Sequence, residues 1–363
     1  MSYERDNVRS MAGYVYGEQP QDPGIVKLNT NENPYPPSPA VADAIRSFDA
    51  GTLRRYPPAT ADGFRRQVAA RFGLAVDQVV VTNGGDEALR LAITTFVDPG
   101  ATFGTTEPGY SLCPVLANVQ GCEVASAELT ADWSLPDGFA GRMNAAGAKL
   151  TCLVNPHAPS GVLVDADTVA AVAQELDGVL LVDEAYVDFV DPGLRHNLTS
   201  LLVRHDNLLL LRTLSKGHSL AGMRVGFLLG NAGLVEPILT KTRDSYNVDA
   251  LAQVAAEAAF ADRAYAERGW RAVQGERRRL TVGLVELGFA VAESQSNFVL
   301  AAAPTGVSAG ALFLGLRERG IVVRHFDTPR LSNSLRITVG TASENDLLLA
   351  AIGKVTSGPR RNR

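Results

Sequence analysis

Short apolar segments alternate with segments of helical spacing along the chain up to about residue 248. The apolar segments are rich in leucine and β-branched residues and cover residues 78–82, 149–154, 178–183, 207–213 and 224–230. Between them, apolar residues recur at helical spacing, as in residues 168–176. The first pattern is typical of buried strands and the second of amphipathic helices. Their alternation predicts an α/β fold with a largely parallel, helix-covered sheet.

The two ends of the chain have a different texture. Residues 1–37 are rich in Gly, Pro, Asn and Tyr, which predicts an extended arm. Beyond residue 248, a helical pattern over residues 250–287 leads into strand-like segments, which predicts a smaller α+β domain. These segments are residues 297–301, 321–324 and 335–339. The expected organisation is an arm at 1–37, a large domain at 38–248 and a small C-terminal domain at 249–363.

Composition restricts the class of protein. The chain has 363 residues, of which 46% are hydrophobic and 20% charged, and this suits one large and one smaller core. Its net charge of −5 argues against nucleic acid as a partner. Basic residues cluster at 277–279 and 359–363, where we expect a solvated helix face and a frayed terminus.

Cysteine usage and the N-terminus bear on location. Cys113, Cys122 and Cys152 show neither CxxC nor zinc-ligand spacing, so we expect buried thiols in a reducing compartment and no metal. The first residues lack the basic-then-apolar pattern of a signal peptide. No apolar run approaches the roughly 20 residues that span a bilayer. These features predict a cytoplasmic protein with no membrane partner.

Residues 213–226 carry the strongest chemical signal. Lys216 directly follows an apolar strand and lies between hydroxyl-bearing and small residues. An amine that forms a Schiff base needs a partly dehydrated site, which lowers its pKa, and room for a planar cofactor. The hydroxyls of Thr213 and Ser215 and the guanidinium of Arg224 are suited to binding a phosphate dianion. A lone lysine is usually a surface residue, but in this segment we interpret Lys216 as the amine of an internal aldimine.

A second segment places an acid at the end of an apolar strand. Asp183 ends residues 178–183, and ligands of open α/β sheets bind at such strand ends. A buried carboxylate beside a protonated pyridine nitrogen keeps that ring cationic and makes it an electron sink. We assign this role to Asp183, and to Tyr186 a hydrogen bond to the cofactor's phenolate oxygen. A helix cap or a surface acid is the competing interpretation of Asp183.

Gly84 and Gly85 lie between a strand and an amphipathic helix. Backbone N–H groups at a helix N-terminus, left accessible by glycine, bind phosphate well. A glycine pair alone is a weak indication, because any tight strand–helix connection can use one. The segment matches neither GxGxxG nor GxxxxGK[ST], which removes the main support for a dinucleotide site or a P-loop.

Three further side chains fit a cofactor and substrate site. Tyr110 is suited to stacking on a pyridine ring. Arg336, near the start of a strand, is suited to holding a substrate anion through charge-assisted hydrogen bonds worth roughly 1.5–3 kcal/mol. Arg324 lies at a comparable strand end. A core aromatic ring and structural salt bridges are the competing interpretations.

In this order and at these separations, the segments resemble histidinol-phosphate aminotransferases, which are fold-type I enzymes dependent on pyridoxal 5'-phosphate. The match extends over nearly the whole chain and includes residues 28–34, 55–57, 84–87, 183–186, 213–226 and 336–340. The resemblance implies pyridoxal phosphate as the cofactor, histidinol phosphate and 2-oxoglutarate as substrates, and a homodimer with active sites at the subunit interface. It implies a ping-pong cycle in which Lys216 moves a proton between the substrate's Cα and the cofactor.

The resemblance also implies roles for individual residues. The cofactor phosphate would be held in one subunit by Gly85, Asp86, Thr213, Ser215 and Arg224, and from the partner subunit by Tyr56. The substrate would be held by Tyr14, Asn297, Arg324 and Arg336.

One departure from the family pattern concerns the cofactor's phenolate oxygen. Ala158 stands where the family usually has an asparagine that donates to this oxygen. The loss of one donor should leave Tyr186 as the main direct partner. We hypothesise that Asn155, His157 or an ordered water compensates.

Three alternatives remain open from the sequence. An aromatic amino-acid aminotransferase would use Arg336 for a carboxylate instead of a phosphate. A phosphothreonine decarboxylase would share the cofactor site and release carbon dioxide. A non-catalytic domain that senses pyridoxal phosphate in a transcription regulator would need a fused DNA-binding segment, which neither the length nor the charge provides.

Overall fold

The alternating pattern folds as strands and helices in the computed structural model, which describes residues 3–356. The strands are β1 (Val26–Lys27), β2 (Val79–Thr82), β3 (Thr102–Glu107), β4 (Glu123–Glu128), β5 (Ala148–Val154), β6 (Val179–Asp183), β7 (Leu208–Thr213), β8 (Gly226–Gly230), β9 (Ala290–Val291), β10 (Phe298–Ala302), β11 (Ile321–Val322), β12 (Arg324–His325) and β13 (Ser334–Thr338). The helices are α1 (Asp6–Ser10), α2 (Pro39–Arg46), α3 (Asp62–Phe72), α4 (Gly84–Phe96), α5 (Leu112–Gln120), α6 (Phe139–Ala145), α7 (Ala166–Glu175), α8 (Leu214–Gly217), α9 (Ala232–Pro237), α10 (Ala250–Ala261), α11 (Arg263–Glu286), α12 (Ala309–Arg317) and α13 (Ala342–Thr356). The basic segment 359–363 lies outside the described residues.

The apolar segments form a seven-stranded sheet in the order β2-β8-β7-β6-β5-β3-β4. Strand β8 runs antiparallel to both neighbours, and the remaining neighbouring pairs are parallel. Nearly all side chains of β2, β5, β6, β7 and β8 are buried, as expected where helices cover both faces. The predicted α/β class and the five predicted strands are confirmed. Strands β3 and β4 were not predicted.

A smaller antiparallel sheet, in the order β12-β13-β10-β9, lies in the C-terminal part of the chain. Helices α11, α12 and α13 pack around it and share its apolar core. The arm contributes to this part as well, because β1 pairs with β11 and Leu28 is buried in the same core. The segment that follows β1 is therefore fixed to the C-terminal part of the molecule.

The helical region predicted at 250–287 is two helices that meet at Asp262, whose side chain accepts a hydrogen bond from the N–H of Tyr265. Helix α10 packs against α2 and α3, and its residues Ala252 and Ala256 belong to the core beneath the large sheet. Helix α11 contributes Leu280 to the smaller core. We propose that the large and small parts divide at Asp262, whereas the sequence pattern placed the division at 248.

The prediction of a solvated helix face at 277–279 is wrong for Arg277. Its guanidinium is buried and donates to the carbonyl oxygens of Phe189 and Ser296, each at 2.8 Å. Burial lowers the pKa of Arg277 to about 10. Its neighbours Arg278 and Arg279 do have exposed side chains. The two backbone oxygens need hydrogen-bond donors, and this need explains why the charged side chain of Arg277 is buried. The run of basic residues in the sequence had indicated a solvent-exposed position.

The three cysteine thiols are buried and unbonded, as predicted; the Sγ atoms of Cys113 and Cys152 are 3.9 Å apart. Within residues 3–356, every helix is either too short or too polar to cross a membrane.

Candidate active site

The carboxyl ends of β2, β3, β6 and β7 meet at one edge of the large sheet, where a cavity of about 690 Å³ opens. The residues that follow these strands line it. The predicted residues brought together there are Gly85, Asp86, Tyr110, Asp183, Tyr186, Thr213, Ser215, Lys216, Arg224, Tyr14, Arg324 and Arg336. Residues far apart in the sequence thus share one concave site, of the kind that small ligands occupy.

Lys216 lies in α8, one turn beyond the end of β7, and it is partly buried in the wall of the cavity. Its Nζ donates to the carbonyl oxygen of Thr30 at 3.0 Å. Burial, with the nearby positive charges of Arg336 and Arg224, lowers the pKa of Lys216 to about 8. A substantial fraction of this amine is therefore neutral, and nucleophilic, at physiological pH.

Asp183 is the last residue of β6 and is buried beneath the cavity floor. Its Oδ1 accepts a hydrogen bond from the N–H of Ala185 at 3.0 Å. Burial raises the pKa of Asp183 to about 7, despite that hydrogen bond. We refer to Asp183, which is buried, and to Tyr186 and Lys216, which are partly buried, as the buried cluster.

A second group, which we call the glycine cluster, comprises Gly84, Gly85, Asp86, Ser215 and Arg224. Helix α4 begins here at Gly84, and the side chain of Asn83 does not cap it. Arg224 donates to Oδ2 of Asp86 at 3.2 Å and to Oγ of Ser215 at 3.4 Å. An uncapped helix N-terminus beside a guanidinium and a hydroxyl is suited to a phosphate group.

The glycines allow Arg224 and the neighbouring backbone to pack closely in this cluster. Gly84 has φ +75°, and a Cβ there would lie 2.6 Å from Nη2 of Arg224. A Cβ on Gly226, at the start of β8, would lie 2.7 Å from the backbone carbon of Gly84. Arg224 itself has φ +53°, a conformation that is costly for a non-glycine residue and is found at functional sites. The backbone is thus held in strained conformations where Arg224 enters the cavity.

Two arginines lie side by side on neighbouring strands of the small sheet. Arg324 on β12 and Arg336 on β13 are register partners. Arg336 is partly buried, its Nη2 donates to the carbonyl oxygen of Asn29 at 3.0 Å, and its buried Nε has no partner among residues 3–356. Like charges directly opposite on neighbouring strands are destabilising. Burial and the charge of Arg324 lower the pKa of Arg336, and an anion bound between the two would relieve both effects.

The arm forms one wall of the cavity through Tyr14. The Tyr14 ring meets the Tyr110 ring edge to face, with centroids 6.0 Å apart and planes at 73°. The Tyr110 hydroxyl donates to Oδ1 of Asp86 at 3.1 Å. Arg324 donates to the carbonyl oxygen of Val15 at 3.2 Å. The arm is therefore in contact with both the large and the small parts of the protein.

Four predicted site residues do not line the cavity, and one of them is Gly84, which directly precedes the lining residue Gly85. Asn155 is buried, and its carboxamide is bonded to both the N–H and the carbonyl oxygen of Val164, each at 2.8 Å. Asn297 lies one layer behind the wall, where its Nδ2 donates to the carbonyl oxygen of Asn31 at 2.9 Å. Tyr56 is 80% exposed and stacks on Tyr246, with centroids 4.4 Å apart. The geometry therefore does not support Asn155 as a cofactor ligand.

Neither side chain that we hypothesised to replace the donor missing at Ala158 is free to do so. Asn155 is bonded to Val164. The ring nitrogens of His157 contact Oγ of Ser160 and the carbonyl oxygen of Pro108, both at 2.8 Å. Burial lowers the pKa of His157 to about 4, so the ring is neutral. Ala158 itself lies on the cavity wall, against Tyr110 and Tyr186.

Sequence reasoning assigned no role to Asn29, Thr30 and Asn31, although all three line the cavity. They contact Arg336, Lys216 and Tyr186 respectively. Asn31 has φ +55°, in the left-handed region that asparagine tolerates better than most residues. The close spacing of Asn29, Asn31 and Asn33 in an otherwise extended arm was the signal available in the sequence.

Comparisons with known proteins agree with this geometry. A family model described as aminotransferase class I and II matches residues 23–352. The chain is 42% identical over 352 residues to histidinol-phosphate aminotransferase 1 of a Nostoc species, covering 97% of each chain. It is 40% identical over 355 residues to the histidinol-phosphate aminotransferase of Geobacter sulfurreducens, covering 97% of this chain and 99% of that one.

Among solved structures, the fold is similar to that of histidinol-phosphate aminotransferase from Sinorhizobium meliloti in complex with pyridoxal-5'-phosphate. The TM-score is 0.89 at 26% identity, and the similarity covers 98% of each chain. The similarity to L-threonine-O-3-phosphate decarboxylase from Porphyromonas gingivalis, with a TM-score of 0.79 at 20% identity, concerns the fold alone.

Proposed function

We propose that this chain, which belongs to the class I and II aminotransferase family, transfers the amino group of histidinol phosphate to 2-oxoglutarate with pyridoxal phosphate as its cofactor. The observation that carries the proposal is the meeting on one cavity of a partly buried amine, a buried carboxylate and two arginines from neighbouring strands. The amine and the carboxylate suit the cofactor, and the arginines suit a substrate that carries an additional anion. Relatives about 40% identical over nearly the whole chain support the same substrate.

The residues of the cavity fit pyridoxal phosphate. The uncapped N-terminus of α4, with Arg224 and Ser215, supplies donors for its phosphate, and Gly84 and Gly85 leave room for it. Thr213 orients Ser215, because its Oγ1 donates to Oγ of Ser215 at 2.9 Å and accepts from the N–H of Ser215 at 3.1 Å. Tyr110 offers an aromatic face for the ring, and Tyr186 a hydroxyl for its phenolic oxygen. When bound, the cofactor supplies an aldehyde that condenses with amines and a ring that delocalises the electron pair released from a Cα–H bond.

Asp183 is suited to stabilising the protonated form of the cofactor's ring nitrogen. Its carboxylate is buried, and the burial that raises its pKa to about 7 would be offset by a protonated ring nitrogen. The N–H of Ala185 fixes the orientation of the carboxylate by binding Oδ1. Asp183 therefore binds and orients the ring, and it stabilises positive charge there from a buried position.

Lys216 performs the proton transfers. With its pKa lowered to about 8, the amine can act as a nucleophile and afterwards accept and return a proton near neutral pH. The carbonyl oxygen of Thr30 holds Nζ in place at 3.0 Å. Because Lys216 lies directly after β7, its backbone position is set by the large sheet.

The two arginines select the substrate. Arg324 and Arg336 lie opposite each other, and Tyr14 lies on the same cavity. A phosphate dianion compensates both charges, whereas a carboxylate supplies only one negative charge. Asn297, one layer behind, supports the wall through the carbonyl oxygen of Asn31. This arrangement favours histidinol phosphate over an aromatic amino acid, and the carboxylates of 2-oxoglutarate use the same arginines in the second half-reaction.

A homodimer and a cytoplasmic location are part of the proposal. Tyr56 is too exposed to serve the cavity of its own chain, and it forms an exposed aromatic pair with Tyr246. In a dimer this surface would be covered, and the Tyr56 hydroxyl would reach the cofactor phosphate in the partner subunit. Buried, unbonded cysteines suit a reducing compartment.

Half-reaction rates measured by cofactor absorbance test the substrate. We expect histidinol phosphate to exceed phenylalanine in specificity constant by about 100-fold or more, because the single carboxylate of phenylalanine would compensate only one of the two arginine charges. Replacement of Arg336 by Leu should reduce that ratio. Equal or faster conversion of phenylalanine would show that the substrate is an aromatic amino acid. Release of carbon dioxide from phosphothreonine would show that the reaction is a decarboxylation.

A further inference from the structure

Three successive arm residues each contact a different side chain of the site. The carbonyl oxygen of Asn29 accepts from Arg336, and that of Thr30 accepts from Lys216, both at 3.0 Å. Nδ2 of Asn31 donates to the hydroxyl of Tyr186, also at 3.0 Å. The first two contacts use the backbone, which any residue provides. The third depends on the identity of the Asn31 side chain.

The Asn31 amide is fixed from several sides. Its backbone N–H donates to Oγ1 of Thr338 at 3.0 Å, and its carbonyl oxygen accepts from Asn297. The Thr338 hydroxyl donates to Oδ1 of Asn31 at 3.3 Å. Because the oxygen end of the carboxamide is engaged by Thr338, the nitrogen end is the one that faces Tyr186. In this arrangement Asn31 is the donor and the Tyr186 hydroxyl oxygen the acceptor.

The surroundings of Tyr186 leave its own hydrogen available. Its ring packs edge to face on Phe298, with centroids 5.0 Å apart, and Ala158 adds another apolar wall. The phenol oxygen accepts from Asn31, so the phenol hydrogen must seek a different acceptor. Burial raises the pKa of Tyr186 while the hydrogen bond from Asn31 lowers it, and the phenol stays protonated and able to donate.

We propose that Asn31 is a positioning residue that directs the hydroxyl of Tyr186 toward the phenolic oxygen of the cofactor. This contact takes over the task left open at Ala158, where the side chain has no donor. The inference rests on the proposed function, since it requires the bound cofactor. Asn31 would act only through Tyr186, without touching the reacting atoms.

The test is the pH titration of the absorbance of the bound cofactor, which needs no substrate. Asn31→Gly removes the amide and keeps a residue suited to φ +55°. Asn31→Asp keeps the size but offers an acceptor, to which Tyr186 would donate its own hydrogen. A donor binds the more negative, deprotonated form of the lysine-bound cofactor more strongly, so its loss should raise the midpoint. We expect an upward shift of about 0.5–1 pH unit in Asn31→Gly and a larger one in Asn31→Asp.

Two further variants separate positioning from general loosening of the arm. Tyr186→Phe should raise the midpoint by at least as much as Asn31→Gly, and the double variant should show no additional shift. Glu18→Gln breaks the ion pair that ties the arm to Arg317, 3.0 Å away, without contacting Tyr186. It should titrate like the wild type.

Each result supports one conclusion. Wild-type midpoints in both Asn31 variants, with a shift in Tyr186→Phe, would overturn the positioning role and leave the proposed function intact. Additive shifts in the double variant would also overturn it, since Asn31 would then act independently of Tyr186. A wild-type protein with no pH-dependent cofactor absorbance would instead overturn the proposed function.

Discussion

Asp183 is buried and Lys216 partly buried at the cavity, whereas the side chains of Asp86 and Arg224 in the glycine cluster are 52% and 43% exposed. The exposed pair is already compensated, because its two charges lie 3.2 Å apart. In the buried cluster, burial shifts the pKa of each group toward its neutral form. In the buried cluster, the charged forms of Asp183 and Lys216 are therefore destabilised until the cofactor binds. The charges of the glycine cluster are already paired, so this cluster serves mainly to bind the cofactor. Changes in the first should alter chemistry and stability, and changes in the second mainly affinity.

The largest effect is expected for Lys216→Ala. It removes both the nucleophilic amine and the proton carrier, so turnover should fall on the order of 10⁴-fold or more. The pH-dependent absorbance of the bound cofactor should disappear as well, which a spectrophotometric titration would show. Lys241→Ala, at an exposed lysine, is the matched control and should behave like the wild type. A Lys216→Ala variant that keeps both signals would refute the role of this amine.

Asp183→Asn comes next. The variant keeps the size of the side chain and the acceptor for Ala185, but it cannot balance a positive ring nitrogen. Loss of a buried charge partner costs about 3–4 kcal/mol, which corresponds to a decrease in turnover of about 10²–10³-fold. Single-turnover rates at saturating cofactor measure it. A decrease of less than threefold would mean that Asp183 does not face the ring.

The two clusters also differ from the arm in how far the sequence could predict them. Asp183 ends an apolar strand, and Gly84 and Lys216 come shortly after the ends of two others. Parallel strands bring their carboxyl ends to one edge, so local pattern and topology sufficed to predict these residues. Strands β3 and β4 escaped prediction because they are rich in Thr, Ala and Ser, and most side chains of β4 are not buried.

The remaining contacts depend on the register of segments that are distant in the chain. Arg324 and Arg336 were recognised singly, but their pairing follows from the alignment of β12 with β13. Asn31 reaches Tyr186 only because β1 pairs with β11 and fixes the arm. Asn155, which looked well placed by spacing, is bonded to Val164 on the far side of a turn. Sequence spacing does not record which way such a side chain points.

The cofactor-free protein offers a second test of the buried cluster. The folded state raises the pKa of Asp183 to about 7, so it holds the proton more tightly than the unfolded chain does. The stability that Asp183 contributes is thus present at low pH and is lost as pH rises from about 4 to about 7. The substitution Asp183→Asn abolishes this dependence. Above pH 7 the variant should be more stable than the wild type by about 2–4 kcal/mol, and near pH 4 about equal to it.

Urea unfolding of both cofactor-free proteins at pH 4.5 and pH 8 would measure this difference, since contributions from other groups cancel in the comparison. An equal stability difference at the two pH values would show that Asp183 is not held in a neutralising environment. We expect instead that Asp183→Asn, which lowers turnover, raises the stability of the cofactor-free protein at pH 8. A gain in stability is the result expected when the wild-type site buries a charge that has no partner.

The smallest effect is expected in the glycine cluster, for Gly84→Ala. An L side chain at φ +75° costs about 1–2 kcal/mol, and the added Cβ would displace the guanidinium of Arg224. Cofactor affinity should fall about 10–30-fold while the turnover of the saturated enzyme changes little. Gly138→Ala is the matched control, because Gly138 has φ +66° and a Cβ there would meet no other described residue within 4 Å beyond its chain neighbours. This control incurs the same backbone strain away from the cavity, so it should lose a similar amount of folding stability and keep full cofactor affinity. Equal losses of affinity in the two variants would show that backbone strain alone, and not the position of Arg224, governs binding.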